Sequence, residues 1–121
     1  LTLTGLRRNL FSLRSPIVTP LLPSFVLDEG EATVVQHASQ EWIVMRQGGT
    51  VVGYRNRCPH RGVSLNPNDS PLLESTGKLL QCARHGALFQ PITGECVSGP
   101  CLGELLDPIK LIEQASTIYA V

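Results

Sequence analysis

The amino-acid sequence predicts an all-β fold, on two observations. Short runs rich in Val, Ile, Thr and aromatic residues recur along the chain, and Gly, Pro, Asn and Asp separate them at intervals of about ten residues. The length of 121 residues fits one domain with a modest core and leaves no room for a second functional module. The chain contains no internal repeat, and we expect no helix longer than one or two turns.

The strands can be placed in order along the chain. Gly48 and Gly49 separate two of them, which predicts a hairpin with a glycine turn. Further along, one strand is expected to enter the segment CARHG and another to leave it, followed by a turn at PITG, residues 91–94. The predicted strands cover residues 32–35, 42–45, 50–54, 78–82, 87–90, 109–114 and 116–121.

The amino-terminal stretch, residues 1–15, differs in character from the rest. It contains Arg7, Arg8 and Arg14, and no acidic residue precedes Asp28. Such a segment is compatible with an amphipathic surface helix, a truncated targeting segment or a loosely docked tail, and the tail is our working interpretation. SPIVTPLLPS, which follows, predicts an extended linker. The expected division is a basic tail and linker at 1–20 and one domain at 21–121.

Charge and hydropathy exclude two classes of partner. Ten basic and ten acidic side chains cancel, so no overall field attracts nucleic acid or an anionic membrane. No apolar run approaches the roughly 18 residues that a membrane-spanning helix needs. We expect a soluble protein that is a monomer on its own.

Two pairs of metal-binding residues dominate the sequence. Cys58 and His60 stand in CPHRG, and Cys82 and His85 stand in CARHG, with 21 residues between the pairs. Thiolate together with imidazole suits zinc or an iron-sulfur cluster and disfavours magnesium and calcium. Zinc patterns usually group like with like, whereas each pair here is mixed. Mixed pairs favour a [2Fe-2S] cluster in which the cysteines bind one iron and the histidines the other, with zinc as the alternative.

These residues resemble the Rieske iron-sulfur family, whose pattern is C-x-H-x-G followed by C-x-x-H-G-x-x-F. TGECVSGP, residues 93–100, resembles the third loop that shields a Rieske cluster, and the likeness covers about residues 20–121. The gap between the ligand pairs is a few residues longer than in short ferredoxin members, with NPNDSPLLEST as the expected surface insertion. The matching residues are Cys58, His60, Gly62, Cys82, His85, Gly86 and Phe89.

The resemblance implies stacked antiparallel sheets with a cluster-binding subdomain at about 56–100, formed by two hairpin loops. High-potential members have a disulfide between the ligand loops, where this chain has Val63 and Arg84. They also have hydroxyl donors to the cluster sulfurs, where it has Ala87 and Phe89. Because a donor stabilises the reduced cluster, its loss lowers the potential. We expect a midpoint in the low part of the Rieske range, which spans roughly −150 to +300 mV.

Two further cysteines, Cys96 and Cys101, lie in a Gly- and Pro-containing loop, five residues apart. We expect free, partly buried thiols that act as small apolar residues, although the spacing leaves a disulfide open. Free thiols beside a cluster favour a reducing compartment. The expected location is cytoplasmic, and organelle targeting through the basic segment stays open.

Four arginines stand close to the ligand motifs, at Arg55, Arg57, Arg61 and Arg84. Reduction adds one negative charge to a cluster, so nearby arginines favour the reduced state. They also predict a basic rim that meets an acidic patch on a redox partner.

The functional expectation follows from the resemblance and from the residues that the chain lacks. A mononuclear oxygenase iron needs two histidines and a carboxylate, and only His37 remains after the four predicted ligands. The resemblance implies a one-electron carrier, not an enzyme in itself, that passes electrons from a flavoprotein reductase to a terminal oxygenase or similar acceptor. Two alternatives stay open: an accessory or regulatory Rieske-like subunit of a larger oxidoreductase such as nitrite reductase, and a zinc-binding structural module.

Overall fold

A computed structural model describes residues 18–59 and 62–121. Across these residues ten strands form three antiparallel sheets, and the helical elements are two single 3-10 turns, Ser24–Val26 and Pro67–Asp69. No helix in this part of the chain has the length and apolarity to cross a membrane. The strands are β1 (Thr19–Pro23), β2 (Ala32–His37), β3 (Gln40–Gln47), β4 (Thr50–Arg55), β5 (Leu80–Gln81), β6 (Leu88–Phe89), β7 (Cys96–Ser98), β8 (Pro108–Ile109), β9 (Leu111–Gln114) and β10 (Thr117–Ala120).

The three sheets divide the chain into a base and a ligand-bearing part. Strands β2, β3, β4 and β8 form one sheet in that order, and β1, β10 and β9 form the second. The third sheet is small, consists of β5, β6 and β7, and has the CARHG segment between its first two strands. The predicted all-β class with antiparallel sheets is confirmed.

Strand β3 lies between two apolar cores. Ile43 and Met45 belong to the core shared with the small sheet, whereas Val44 belongs to a second core with Leu27 and Ile118. All five residues are almost completely buried. The alternation has the period of two that is expected of a strand with both faces covered.

The predicted glycine hairpin is present. Gln47 pairs with Thr50, so the turn between β3 and β4 has two residues. These are Gly48 and Gly49, with φ values of 61° and 79°. Positive φ at both positions is what a type I′ turn requires, and glycine adopts it without strain.

Residues 19–23 form a strand and not the linker that we predicted. β1 pairs with β10 and lies at the edge of its sheet. Pro20 and Pro23 are tolerated there because an edge strand needs backbone donors on one side only. The strand crosses the boundary expected after residue 20. The basic segment before it, with its predicted tail, lies outside the described residues.

The strands around CARHG are present but shorter than predicted. β5 and β6 have two residues each, with Leu80 opposite Phe89. β7, which sequence analysis assigned to the third loop, pairs with β6. The closing run predicted at 109–114 divides at Lys110, because β8 belongs to the four-stranded sheet and β9 to the sheet with β1.

Tyr54 joins the four-stranded sheet to the small sheet. Its hydroxyl donates a hydrogen bond of 2.6 Å to the carbonyl of Pro91, within the turn predicted at 91–94. Gly94 packs on the same ring, since a Cβ at this position would lie 2.7 Å from Tyr54 Cε1. Burial raises the pKa of the Tyr54 phenol. The ligand-bearing sheet is thereby fixed to β4, whose end leads into the first ligand motif.

Candidate metal centre

The structure describes three of the four predicted ligands. Cys58 and Cys82 are fully buried and belong to the same apolar core. His85 is exposed, and His60 lies outside the described residues. Within 18–59 and 62–121, no three potential metal ligands come together. The structure therefore places both sulfurs in one core and one imidazole at the surface, and the complete ligand set stays a prediction.

The first ligand loop, residues 58–63, is closed by two backbone hydrogen bonds. The Cys58 N–H donates to the carbonyl of Val63 at 2.6 Å, and the Gly62 N–H donates back to the carbonyl of Cys58 at 2.6 Å. Gly62 has a φ of 68°, in the left-handed region that disfavours other residues. The glycine of C-x-H-x-G thus has a geometric role in the turn.

The second ligand loop, residues 82–87, repeats this turn. The Cys82 N–H donates to the carbonyl of Ala87 at 2.8 Å, and the Gly86 N–H donates to the carbonyl of Cys82 at 2.9 Å. Gly86 has a φ of 70°. In each loop the cysteine amide bonds five residues ahead, and the glycine amide bonds four residues back. The two cysteines therefore occupy equivalent positions in equivalent turns.

Asn56 anchors the first loop from below. Its side chain is buried, and its Oδ1 accepts a hydrogen bond of 2.9 Å from the Leu65 N–H. Its Nδ2 donates to Glu41 Oε1 at 3.0 Å and to Asn66 Oδ1 at 2.7 Å. These bonds connect the chain before and after the first loop to β3. This role of Asn56 was not predicted from the sequence.

The second loop is held by contacts from two other segments. The Ala83 N–H donates to the carbonyl of Leu65 at 2.8 Å, which links the second loop to the chain that follows the first. Gly99, in the third loop, touches the backbone of Ala87: a Cβ at Gly99 would lie 2.7 Å from Ala87 Cα. The contact supports the predicted role of residues 93–100 as a cover over the ligand loops.

The longer gap between the motifs is an ordered structure and not only a surface loop. Leu72 is buried in the main core, and its carbonyl accepts a 2.8 Å hydrogen bond from the Gln81 N–H. The Glu74 carboxylate accepts bonds from the hydroxyl and amide of Thr76 and from the amides of Lys78 and Leu79. These bonds hold the pKa of Glu74 at about 2. The insertion supports the strand that enters the second loop.

The structure shows the surroundings of the positions at which this chain differs from high-potential Rieske proteins. Val63 packs against the core, whereas Arg84 is exposed, and Cys58, Cys82, Cys96 and Cys101 form no disulfide. Ala87 and Phe89 are fully buried and bring no hydroxyl to the ligand loops.

The basic rim is only partly realised. Arg55 is paired with Asp107, with 2.9 Å between Nε and Oδ2. Arg57 and Arg84 are exposed, and Arg61 lies outside the described residues. An open cleft of about 430 Å³ beside the first loop is lined by Arg57, Cys58, Pro59, Gly62, Leu105 and Asp107.

The family description "Rieske [2Fe-2S] domain" matches residues 18–114, which include both ligand motifs. The chain belongs to the Rieske [2Fe-2S] domain family. The match begins directly before β1, in agreement with the strand found there. Membership implies a Rieske-type [2Fe-2S] cluster.

Individual proteins similar to this Rieske domain differ in length. The oxidoreductase NdmD of Pseudomonas putida is 39% identical over 62 residues, which are 50% of this chain and 10% of NdmD, so the chain spans about a tenth of that relative's length. The ferredoxin of carbazole 1,9a-dioxygenase from Nocardioides aromaticivorans IC177 superposes with a TM-score of 0.71 at 20% identity, covering 88% of this chain and 98% of that chain. The terminal oxygenase of carbazole 1,9a-dioxygenase from Novosphingobium sp. KA1 gives a TM-score of 0.73 at 21% identity, covering 85% and 29%. At these identities the structural likeness shows the fold.

The donors of this Rieske domain fit a [2Fe-2S] cluster. Two buried thiols in equivalent turns can serve one iron, and the exposed His85 follows the second of them after a gap of two residues. The difference in burial between sulfur and imidazole agrees with the uneven ligation of Rieske centres, in which two histidines replace two cysteines on one iron.

Proposed function

We propose that this chain is a one-electron carrier and is not itself an enzyme. When bound, the Rieske cluster supplies one-electron redox chemistry, and the protein residues hold it, shield it and tune its potential. The observation that carries the proposal is the repeated turn, which presents Cys58 and Cys82 as two equivalent, buried thiols. Two equivalent thiols are the donors that one iron of the cluster requires.

In the proposed ligand set, Cys58 and Cys82 bind one iron through sulfur, and His60 and His85 bind the other through nitrogen. The exposure of His85 supports this division, because an imidazole at the surface would bring an iron that it holds within reach of a partner. The proposed domain is 21–121 together with the beginning of β1, and its cluster-binding subdomain is about 56–100.

We propose two kinds of redox partner, a flavoprotein reductase as donor and a terminal oxygenase or similar acceptor. The chain has the fold of a dioxygenase ferredoxin and covers almost the whole of it. This likeness supports a role as a carrier between a reductase and an oxygenase. Around the ligand loops, Arg57 and Arg84 are exposed, and Leu102 and Leu105 are 68% and 60% exposed. Apolar side chains beside positive charge suit weak, salt-sensitive docking of a carrier that must dissociate.

A second candidate is a Rieske module within a larger oxidoreductase. The similarity to NdmD favours it, because the matching segment is 10% of that protein. The two candidates share the same chemistry and differ in whether the electron partner is a separate protein. The absence of a disulfide among Cys58, Cys82, Cys96 and Cys101 supports a reducing, cytoplasmic location for either candidate.

Metal analysis and electron paramagnetic resonance of the purified chain test the proposal. We expect two irons per chain and, after reduction, the low average g value of a histidine-ligated cluster. Cys58→Ala, Cys82→Ala or His85→Ala should lose the visible absorption and this signal. The matched controls Cys96→Ala and His37→Ala should keep both. Stoichiometric zinc in place of iron, or an unchanged signal in Cys82→Ala, would overturn the assignment.

The proposed midpoint potential is low, because Ala87 and Phe89 provide no hydroxyl donor to the cluster. Protein-film voltammetry measures it directly, and a midpoint well above zero contradicts the proposal. Phe89→Tyr restores a hydroxyl at one of the two positions and should raise the midpoint. Phe89→Leu, which adds no donor, is the control for the change in packing.

A further inference from the structure

A second pair of sulfur atoms lies beside the ligand loops. The Sγ atoms of Cys101 and Cys96 are 2.9 Å apart, and neither residue has any solvent exposure. The Cys96 Sγ also lies 3.2 Å from the carbonyl oxygen of Ser98. A disulfide bond is about 2.0 Å long, so the two sulfurs need to approach by only about 0.9 Å to form one.

The backbone holds the two cysteines in this position. The Cys96 N–H donates to the carbonyl of Glu104 at 2.8 Å, and the Gly103 N–H donates to the carbonyl of Cys96 at 3.0 Å. The Glu104 N–H donates to the carbonyl of Cys101 at 2.8 Å. Because both cysteines are hydrogen-bonded to the backbone of Glu104, little further ordering is needed to join their side chains.

The segment that carries this pair touches both ligand loops. Between the two cysteines, Gly99 packs on Ala87 of the second loop. Burial raises the pKa of the Cys101 thiol, and the neighbouring thiols of Cys96 and Cys58 raise it further, so Cys101 lies beside a predicted ligand. Both thiols are buried, whereas the segment that joins them, residues 97–100, is exposed.

We propose that Cys96 and Cys101 form a reversible disulfide, a modification site whose reactant is a low-molecular-weight disulfide such as glutathione disulfide. One protein thiol loses its proton and bonds to a sulfur of the reagent, whose disulfide breaks and releases the first glutathione. The second protein thiol then attacks the protein sulfur of this mixed disulfide and releases the second glutathione. Two electrons pass from the protein to the reagent, and both protons end on glutathione thiols.

The disulfide would also remove a hydrogen-bond donor, the Cys101 S–H, from beside the first ligand loop. In the reduced pair, the Cys101 S–H donates to Cys96 Sγ; because Cys101 also interacts with Cys58, the same hydrogen can turn to donate to the Cys58 sulfur, a predicted cluster ligand. Oxidation removes this hydrogen, and the loss of a donor to a ligand sulfur lowers the midpoint potential of a cluster. This second consequence rests on the proposed function, whereas the disulfide itself does not.

Peptide mapping tests the disulfide without reference to the cluster. The full chain is equilibrated with reduced glutathione or with glutathione disulfide, denatured, alkylated with iodoacetamide and cleaved after Lys and Arg. Cys58 is then in peptide 58–61, Cys82 in peptide 79–84, and Cys96 and Cys101 together in peptide 85–110.

We expect peptide 85–110 to carry two alkyl groups after the reducing treatment. After the oxidising treatment it should carry none and be lighter by two hydrogen atoms than the unalkylated peptide. Cys96→Ser and Cys101→Ser should each abolish the internal crosslink, and peptide 79–84 should be alkylated throughout. Two alkyl groups on 85–110 after both treatments, glutathione on one cysteine alone, or a crosslink between 85–110 and 58–61 would each overturn the proposal.

Iron content and midpoint potential of the same samples keep the two proposals separate. A crosslinked peptide from protein without iron refutes the electron-carrier proposal and leaves the disulfide standing. Iron-loaded protein without the crosslink does the reverse. Where both the crosslink and the iron are found, the midpoint potential should be lower in the disulfide form than in the reduced form. Cys101→Ala should show the lower midpoint potential under both treatments.

Discussion

The two ligand loops share one backbone turn and are anchored by different residues. In both, the cysteine and the glycine four residues later form the same pair of backbone hydrogen bonds. Two positions before the cysteine, the first loop has Asn56 and the second has Leu80, and both side chains are buried. The turn therefore fixes where the cysteine lies, while the anchor beneath it can be polar or apolar.

The two kinds of anchor impose different requirements on the surroundings. Asn56 needs specific partners, because each of its buried polar atoms must be hydrogen-bonded, and it finds them on β3 and in the chain after the first loop. Leu80 needs only close packing in the main core. The first loop is consequently tied to the four-stranded sheet by direction-dependent bonds, and the second is held in the small sheet by apolar contact.

Removing the apolar anchor should have the largest effect. Leu80→Ala deletes a completely buried side chain beneath the second loop, which should lower the free energy of unfolding by about 3 to 4 kcal/mol. Urea unfolding followed by circular dichroism measures this. Leu105→Ala, at a position that is 60% exposed, is the control and should change it by less than about 0.5 kcal/mol. A loss below about 1 kcal/mol for Leu80→Ala would show that the core beneath the second loop does not hold it.

The contact between the third loop and the second ligand loop can be tested at Gly99, with Gly103, just beyond the third loop, as the control. Gly99 and Gly103 both have positive φ, 107° and 88°, but a Cβ at Gly99 meets Ala87 at 2.7 Å, whereas one at Gly103 meets nothing within 4 Å. Gly103→Ala should cost about 1 kcal/mol through backbone strain alone. Gly99→Ala should cost about 1 to 2 kcal/mol more through the clash. Equal urea midpoints for the two variants would show that the contact between Gly99 and Ala87 does not contribute to the difference in stability.

Removing the polar anchor should have an intermediate effect. Asn56→Ala leaves the buried Leu65 N–H without its acceptor, and we expect a loss of about 2 kcal/mol in the free energy of unfolding. The comparison variant is Gln81→Ala, which loses an exposed hydrogen bond of 3.0 Å to the Pro71 carbonyl. If Gln81→Ala proves as destabilising as Asn56→Ala in the same urea titration, burial of the Asn56 side chain and its partners is not the cause of the lost stability.

The parts of the fold that the sequence predicted are those with local signals. Gly48 and Gly49 indicate their hairpin because two consecutive glycines favour positive φ. The turns at Ala38 and Ser39 and at Ala115 and Ser116 have the same conformation, with φ between 51° and 68°, and no comparable signal. A left-handed Ala is unfavourable by about 1 kcal/mol, so local propensity argues against these turns and pairing of the flanking strands must impose them.

The candidate site also contains residues with a local sequence signal and residues whose role depends on contacts between separate segments. The ligand types and their spacing are local, so the sequence alone predicts the ligand set Cys58, His60, Cys82 and His85, which stays a prediction. The anchoring role of Asn56 depends on Glu41, 15 residues earlier, and the cover at Gly99 depends on a contact with Ala87. The approach of Cys96 and Cys101 depends on the path of the third loop. None of these follows from spacing, because each is set by how separate segments pack.

The sharpest test of the comparison has the smallest expected effect. If the two turns are equivalent, Gly62→Ala and Gly86→Ala should be destabilising to the same degree, because φ is 68° at one and 70° at the other. Neither new Cβ meets an obstacle, since the nearest atom is Arg57 Nη2 at 3.7 Å from Gly62 and nothing lies within 4 Å of Gly86. Backbone strain alone predicts a loss of about 1 kcal/mol for each in urea unfolding. Asn at either position tolerates this conformation better, so Gly62→Asn and Gly86→Asn should each lose less than the corresponding Ala variant. The losses in the free energy of unfolding could instead differ between the two Ala variants by more than about 0.5 kcal/mol. The two loops would then share their hydrogen bonds but differ in the backbone strain that a residue other than glycine causes.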